Sequence, residues 1–220
     1  MLAAMRLRRR RLPPPRPFRW PMKPLSSART ALRTLPDGRL ELTIEHEVLK
    51  GVTPQMLLWW FSHIGENMEH EGRMLPRYLV WHPLDHVGYE VLDRPPDGEV
   101  RAGVRFHIVE AFGRDPGYFV DTIDVVEKLD ETGIVLAQRL FRRAPVFRLE
   151  HRFEPVEEGT LYRSQMLVGS AAPFGRLLLN RLIRPVWFPD HMGQAWLRHN
   201  VEEVGNFERF LPALHARAAG

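Results

Sequence analysis

Six strand-like runs follow one another between residues 86 and 169, and the gaps between them are short. The runs are HVGYEVL, EVRAGVRFHIVEAF, YFVDTIDVVEKL, IVLAQRLFR, VFRLEHRFEPV and TLYRSQMLVG. They are separated by DRPPDG, GRDPG, DETG, Ala144-Pro145 and VEEG. A parallel crossover needs a dozen residues or more, so such gaps allow only antiparallel hairpins. An earlier run, RLELTIEHEVL, alternates Leu40, Leu42 and Ile44 and reads as a first strand. Thr53-Pro54 then opens a helix over PQMLLWWFSHI, with Thr as N-cap and Pro in the first turn. ENMEHEGRMLP reads as a polar loop or a second short helix. After Ser170 the pattern is helical: PFGRLLLNRLI, a break at Pro185, then PDHMGQAWLRHNVEEVGNFERFL. This order predicts an α+β protein with a helix-grip (START-like) fold, an antiparallel sheet of about seven strands wrapped round a long C-terminal helix. Such a fold encloses a cavity between sheet and helix, the default ligand site.

No internal repeat appears, and the pattern places one domain over residues 39–214, with a tail at 1–38 and another at 215–220. No run of about 18 apolar residues exists, so no membrane span is expected. The chain has no cysteine, which removes disulfides, thiolate zinc sites and cysteine nucleophiles. Any metal must be held by His, Asp and Glu, and a reducing cytoplasm fits. Residues 1–39 hold 11 Lys+Arg against one Asp, whereas the remainder holds 20 against 26. The folded part is therefore acidic, and the basic character belongs to the tail. MRLRRRRLPPPRPFRWPMKP is too rich in Arg and Pro to pack, and reads as disordered. A nucleic-acid or anionic-lipid arm is one use for it. The acidic domain would repel phosphates, so no nucleic-acid partner is expected. The simplest reading is a spurious leader with Met22 as initiator, since Arg outnumbers Lys 28 to 3, as a GC-rich gene would give.

Four places put polar residues on apolar faces. In VRAGVRFHIVE the parity Val100, Ala102, Val104, Phe106, Ile108 leads to Glu110. A carboxylate entering such a face costs several kcal/mol unless it is paired, protonated or metal-bound; a strand end or bulge turning it outward is the bland alternative. His151 lies among Phe147, Leu149 and Phe153, as a pocket residue or a hydrogen-bonded core histidine. On the last helix Met192, Trp196, His199, Glu203 and Phe207 form one stripe, which puts His199 and Glu203 one turn apart on the inward side, with Glu202 as the competitor. An i,i+4 pair can share one ion; it can also be a plain hydrogen bond. In YLVWHPLDH, Tyr78, Val80 and His82 share a parity on a short extended run, and His82, Asp85 and His86 offer three ligands within five residues, or a polar surface turn. Two histidines and two carboxylates from these elements could meet across one cavity. That set suits zinc and leaves Mn2+ and Fe2+ open.

MLLWWFSHI, YLVWHPLDH, HIVEAFG and HNVEEVGNFERFLPAL together resemble the 2,4-diacetylphloroglucinol hydrolase family, to which phloretin hydrolase is related, over roughly residues 40–214. The resemblance implies a START-like, zinc-dependent hydrolase that cleaves the carbon–carbon bond between an acyl group and a polyphenol ring. It implies a metal held by two His and two Glu, here His82, with His86 as its alternative, and Glu110, His199 and Glu203. Tyr78, Asp85, His151 and Tyr162 would line the substrate pocket, with His151 relaying a proton to the ring carbon. The partner it implies is a small acyl-phenol substrate. The chain is expected to lack the extra N-terminal segment through which the family pairs, and a homodimer stands as one option. A non-catalytic carrier of an apolar small molecule is the competing function.

Overall fold

The computed structural model describes residues 12–140, 144–173 and 175–219. Its elements run β1 (Ala28–Thr34), β2 (Leu40–His46), β3 (Leu49–Lys50), α1 (Pro54–Ser62), β4 (Asn67–His70), β5 (Arg73–Pro76), α2 (Arg77–Trp81), β6 (His86–Val91), β7 (Arg105–Ala111), β8 (Phe119–Asp130), β9 (Gly133–Leu140), β10 (Ala144–Val156) and β11 (Gly159–Val168). Wide helical turns over Gly175–Ile183 lead into α3 (Arg184–Trp187) and α4 (Asp190–Ala219). Nine strands make one antiparallel sheet in the order β1-β2-β11-β10-β9-β8-β7-β6, with β3 pairing β11 off this path. With the long α4 packed against it, this is the expected START-like arrangement.

The core forms because each element turns an apolar face inward. Leu40, Leu42 and Ile44 of β2 meet Met192, Trp196 and Val201 of α4. Trp60 and Phe61 of α1 meet Phe207 and Phe210 further along α4. Thr53 caps α1 as the sequence suggested, accepting from the Met56 amide. Gly193 lets α4 sit close to the sheet: a Cβ there would stand 2.9 Å from Leu32 and 3.1 Å from Leu42.

The structure departs from the sequence reading in four places. ENMEHEGRMLP is neither loop nor helix but the hairpin β4–β5, turning at Glu71 and Gly72, both with positive φ. YLVW lies in helix α2, not an extended run; Pro83 keeps only His82 extended and so ends the helix before it. Strand β7 begins at Arg105, after a turn at Gly103 with φ 95°. And β1 lies inside the segment expected to be tail. Its sequence ARTALRT shows little alternation because both of its faces are largely exposed, and Arg29 and Arg33 pair with Glu45 and Glu41 of β2.

Residues 12–24 also run along the fold. The Arg16 guanidinium donates to the carbonyl of His86 at 2.7 Å. Trp20 Nε1 donates to Asn206 Oδ1 of α4 at 2.8 Å, and Asn206 Nδ2 donates to the carbonyl of Trp81 at 2.8 Å. Residues 1–11, with the arginine run, lie outside the described residues. Trp20→Ala leaves the buried Asn206 carbonyl unpaired, a loss of about 1–3 kcal/mol. Urea unfolding should show the lower midpoint; an unchanged midpoint would mean that the arm does not contribute to the fold.

Candidate metal centre

Four side chains converge where β6, β7 and α4 meet. His86 Nε2 lies 3.5 Å from Glu110 Oε1 and 3.4 Å from Glu203 Oε2. His199 Nε2 lies 3.8 Å from Glu110 Oε2 and 3.7 Å from Glu203 Oε2. Donor atoms about a zinc at roughly 2.0–2.1 Å stand about 3.4 Å apart in a tetrahedron; His86, Glu110 and His199 offer donor atoms all within 4.8 Å of one another, and Glu203 Oε2 lies beside both histidines. The sheet register brings this about: His86 pairs directly with Glu110 across β6 and β7, and a bulge follows His86. The helical stripe supplies the other half, with Met192, Trp196, His199, Glu203 and Phe207 all buried.

Hydrogen bonding separates His86 from His82. His86 Nδ1 donates to the Tyr78 carbonyl at 2.6 Å, which leaves the Nε2 lone pair free. That Nε2 is buried and has no hydrogen-bond partner among the described residues. A buried nitrogen without a partner is rare and needs a reason. His82 is committed at both ends: Nδ1 accepts the Asp85 amide at 3.1 Å and Nε2 faces Glu202 Oε2 at 3.2 Å. His82, named as a ligand candidate, is turned to Glu202, and it is His86 that the structure brings together with Glu110, His199 and Glu203. A further group, His82 with Asp85 and His199, also gathers donor atoms, but there His199 Nδ1 is hydrogen-bonded to Asp85 Oδ2 and His82 Nδ1 accepts the Asp85 amide.

Supporting contacts orient the set. Asp85 accepts from His199 Nδ1 at 3.1 Å and from the amides of Gly113 and Arg114 at 2.8 and 3.1 Å. Its place is therefore behind His199, not on the pocket wall as expected. Asn200 Nδ2 donates to Glu203 Oε1 at 2.5 Å, and the Tyr78 hydroxyl donates to Glu110. The Tyr78 ring stacks on that of His86, with centroids 3.8 Å apart.

A cavity of about 1070 Å³ opens beside these residues. Tyr78, Glu110, His199, Glu203 and His151 line it, with Phe61, Phe106, Ile108, Leu136 and Trp196 among the apolar walls. Tyr162 does not line it; its ring packs in the core against His151 and Phe153. The sequence reading also missed polar residues. His151 Nδ1 and His46 Nε2 both meet Ser164 Oγ, at 2.9 and 3.1 Å. Asp124, with Thr122 and Gln138, lines the cavity on β8 and β9. In YFVDTIDVVEKL both parities carry apolar residues, so Asp124 could not be told from an outward-facing residue.

Burial pushes the Glu110 carboxyl up, and the Glu203 charge adds to this; His199 and Tyr78 pull it back, to about 7. Burial would lower His199, but Glu203, Asp85 and Glu110 outweigh it and raise the imidazole to about 9. Burial, then His199 and His82, drive His86 well below its usual value. Burial would raise Asp85, but His199, His82 and the Gly113 amide hold it well below the carboxylate range. Burial also lowers His151 to about 4 and, with His151 beside it, His46 to about 3.

These shifts set a pH dependence for the metal-free protein. His199, raised from about 6.5 to about 9, contributes stability that is present below pH 6.5 and lost as pH climbs through 9. Glu110 acts in the same direction up to about 7. The lowered His46, His86 and His151 oppose this only below pH 6.5, since above it they are neutral folded and unfolded alike. In EDTA the urea midpoint should therefore fall between pH 7 and pH 9, and a bound divalent ion should flatten the slope. A midpoint that stays level or rises in EDTA would contradict these electrostatics.

Comparison with known proteins agrees with the residues. A family model described as DAPG hydrolase PhiG domain matches residues 26–216, and the chain belongs to this family of hydrolases. No curated protein matches significantly. Among solved structures, Ara h 8.0201 is 11% identical, covering 80% of this chain and 97% of its own, with a TM-score of 0.48. A START superfamily protein from Mycobacterium smegmatis is 16% identical, covering 76% and 98%, with a TM-score of 0.39. SA2116 from Staphylococcus aureus is 14% identical, covering 81% and 96%, with a TM-score of 0.42.

Proposed function

We propose that this member of the family is a metal-dependent hydrolase that splits the bond between an acyl carbon and a phenolic ring. The observation that carries this reading is His86 Nε2, buried and without a hydrogen-bond partner among the described residues, held with His199 Nε2 between the buried Glu203 and the partly buried Glu110. His86, His199, Glu110 and Glu203 would hold the ion, and zinc suits their nitrogen and oxygen donors, with Mn2+ or Fe2+ as substitutes. A bound zinc would polarise a carbonyl and lower the pKa of water.

The reaction adds water across the bond: the acyl carbon gains oxygen and leaves as a carboxylic acid, and the ring carbon keeps the bonding electrons and gains a proton. Apolar walls that include Phe106, Ile108 and Leu136 would pack on the ring and exclude bulk water. Tyr78, donating to Glu110, would fix that carboxylate. His151 faces the cavity and is neutral near pH 7. It would take a phenolic proton and pass it to the ring carbon, oriented by Ser164. Asp85 serves as the outer partner that orients His199. The substrate would be a small acyl-phenol met in the cytoplasm, and no nucleic acid is needed.

The test pairs metal analysis with turnover of acylphloroglucinols. The untagged protein should carry about one zinc. Asp85→Asn should lower zinc affinity by roughly 10–100-fold, as loss of an outer-shell partner does, and His86→Ala by more. His82→Ala should keep the metal. Metal retained in His86→Ala, or a bound acyl-phenol recovered unchanged, would overturn the reading; the second outcome would make the protein a carrier.

A further inference from the structure

We propose that Asp124, with Gln138 and Thr122, forms a second polar subsite in the cavity that binds a ring hydroxyl at the end of the substrate remote from the acyl group. This rests on the reading of the cavity as an acyl-phenol site and assigns what selects the ring.

Asp124 is 3% exposed and belongs to the inward set of β8 together with Val120, Thr122 and Val126. Its cross-strand partner on β7 is Phe106, four residues before Glu110. At about 3.3 Å per residue that is about 13 Å along the strand from the metal-centre carboxylate. The subsite thus reads the part of a ligand farthest from the metal ligands. Its surroundings are apolar: Phe106, Ile108 and Leu136 line the same stretch of wall.

A carboxyl placed there is costly unless its oxygens are satisfied. Thr122 Oγ1 reaches Asp124 Oδ1 at 3.3 Å, and Gln138 supplies one further hydrogen bond. A carboxyl group has about four acceptor sites, so two contacts leave capacity turned to the cavity that this residue lines. Among the described residues no Lys, Arg or His bonds it. The group that completes such a site is a neutral donor, and on an aromatic ring that donor is a phenolic hydroxyl. A site built to pair with a hydroxyl discriminates against an analogue that lacks it far more than an apolar wall does, because the buried carboxyl is then left unpaired.

The test uses binding, which needs no turnover. The probes are 2,4,6-trihydroxyacetophenone and 2,6-dihydroxyacetophenone, which differ only in the hydroxyl opposite the acyl group. Quenching of the intrinsic tryptophan fluorescence of the metal-loaded protein gives both Kd values. The wild type should prefer the trihydroxy compound by about tenfold to 100-fold. Asp124→Leu should reduce that ratio to about one by weakening the trihydroxy compound alone. Asp124→Asn, which keeps an acceptor oxygen, should retain part of the preference. A ratio unchanged in Asp124→Leu would overturn the subsite, as would equal weakening of both ligands or a wild-type ratio of one. Binding with the expected ratio but without cleavage would sink the hydrolase reading and leave the subsite standing. Failure of both ketones to bind would overturn both.

Discussion

Two carboxylates, Glu110 on β7 and Glu203 on α4, face one largely apolar cavity, and the architecture around them follows from that constraint. Unmatched, each would cost several kcal/mol. The fold answers with the two imidazoles of His86 and His199 and with hydrogen bonds from Tyr78 and Asn200. In the metal-free protein protons take part of the load, on Glu110 and on His199. One divalent cation would do the same work with a single charge centre and would give His86 Nε2 its missing partner.

Around that centre the structure is organised to keep ring orientations fixed. The Tyr78 carbonyl sets the His86 tautomer, and Asp85 sets that of His199 while tying the turn after β7 to the histidine loop. Arg16 holds the His86 carbonyl from outside, and Asn206 joins the N-terminal arm to both α4 and the end of α2. The positions of the four side chains are therefore specified by β6, β7, α4 and the arm together. The cavity opens onto this cluster, large and mostly apolar, with a second polar patch at Asp124.

Much of this was legible in the chain because it rests on periodicity. The stripe from Met192 to Phe207 and the parity that ends in Glu110 are both direct consequences of helix and strand repeat, and the structure turns both sets inward. That His86 stands beside Glu110 and Glu203 while His82 faces Glu202 was not legible. It depends on which ring nitrogen is occupied, and that depends on α2 being a helix, which the alternation of Tyr78, Val80 and His82 disguised. Asp85 and Tyr162 were expected on the pocket wall by block position alone, and packing turned one toward His199 and the other into the core. Asp124 was hidden by apolar residues on both parities of its strand. Strand β1 and the arm at 12–24 were hidden by their polarity, since they are held at an edge and by side-chain to backbone contacts, not by burial of an alternating face.

The central claim is that His86 and His199 share one ion with Glu110 and Glu203. X-ray absorption at the zinc edge of the loaded protein tests it most directly. The account predicts four nitrogen or oxygen neighbours at roughly 2.0–2.1 Å, with the outer-shell signature of two imidazoles, unchanged in His82→Ala, and no such bound zinc in His86→Ala. A spectrum with one imidazole, or with two that survive in His86→Ala, would contradict it.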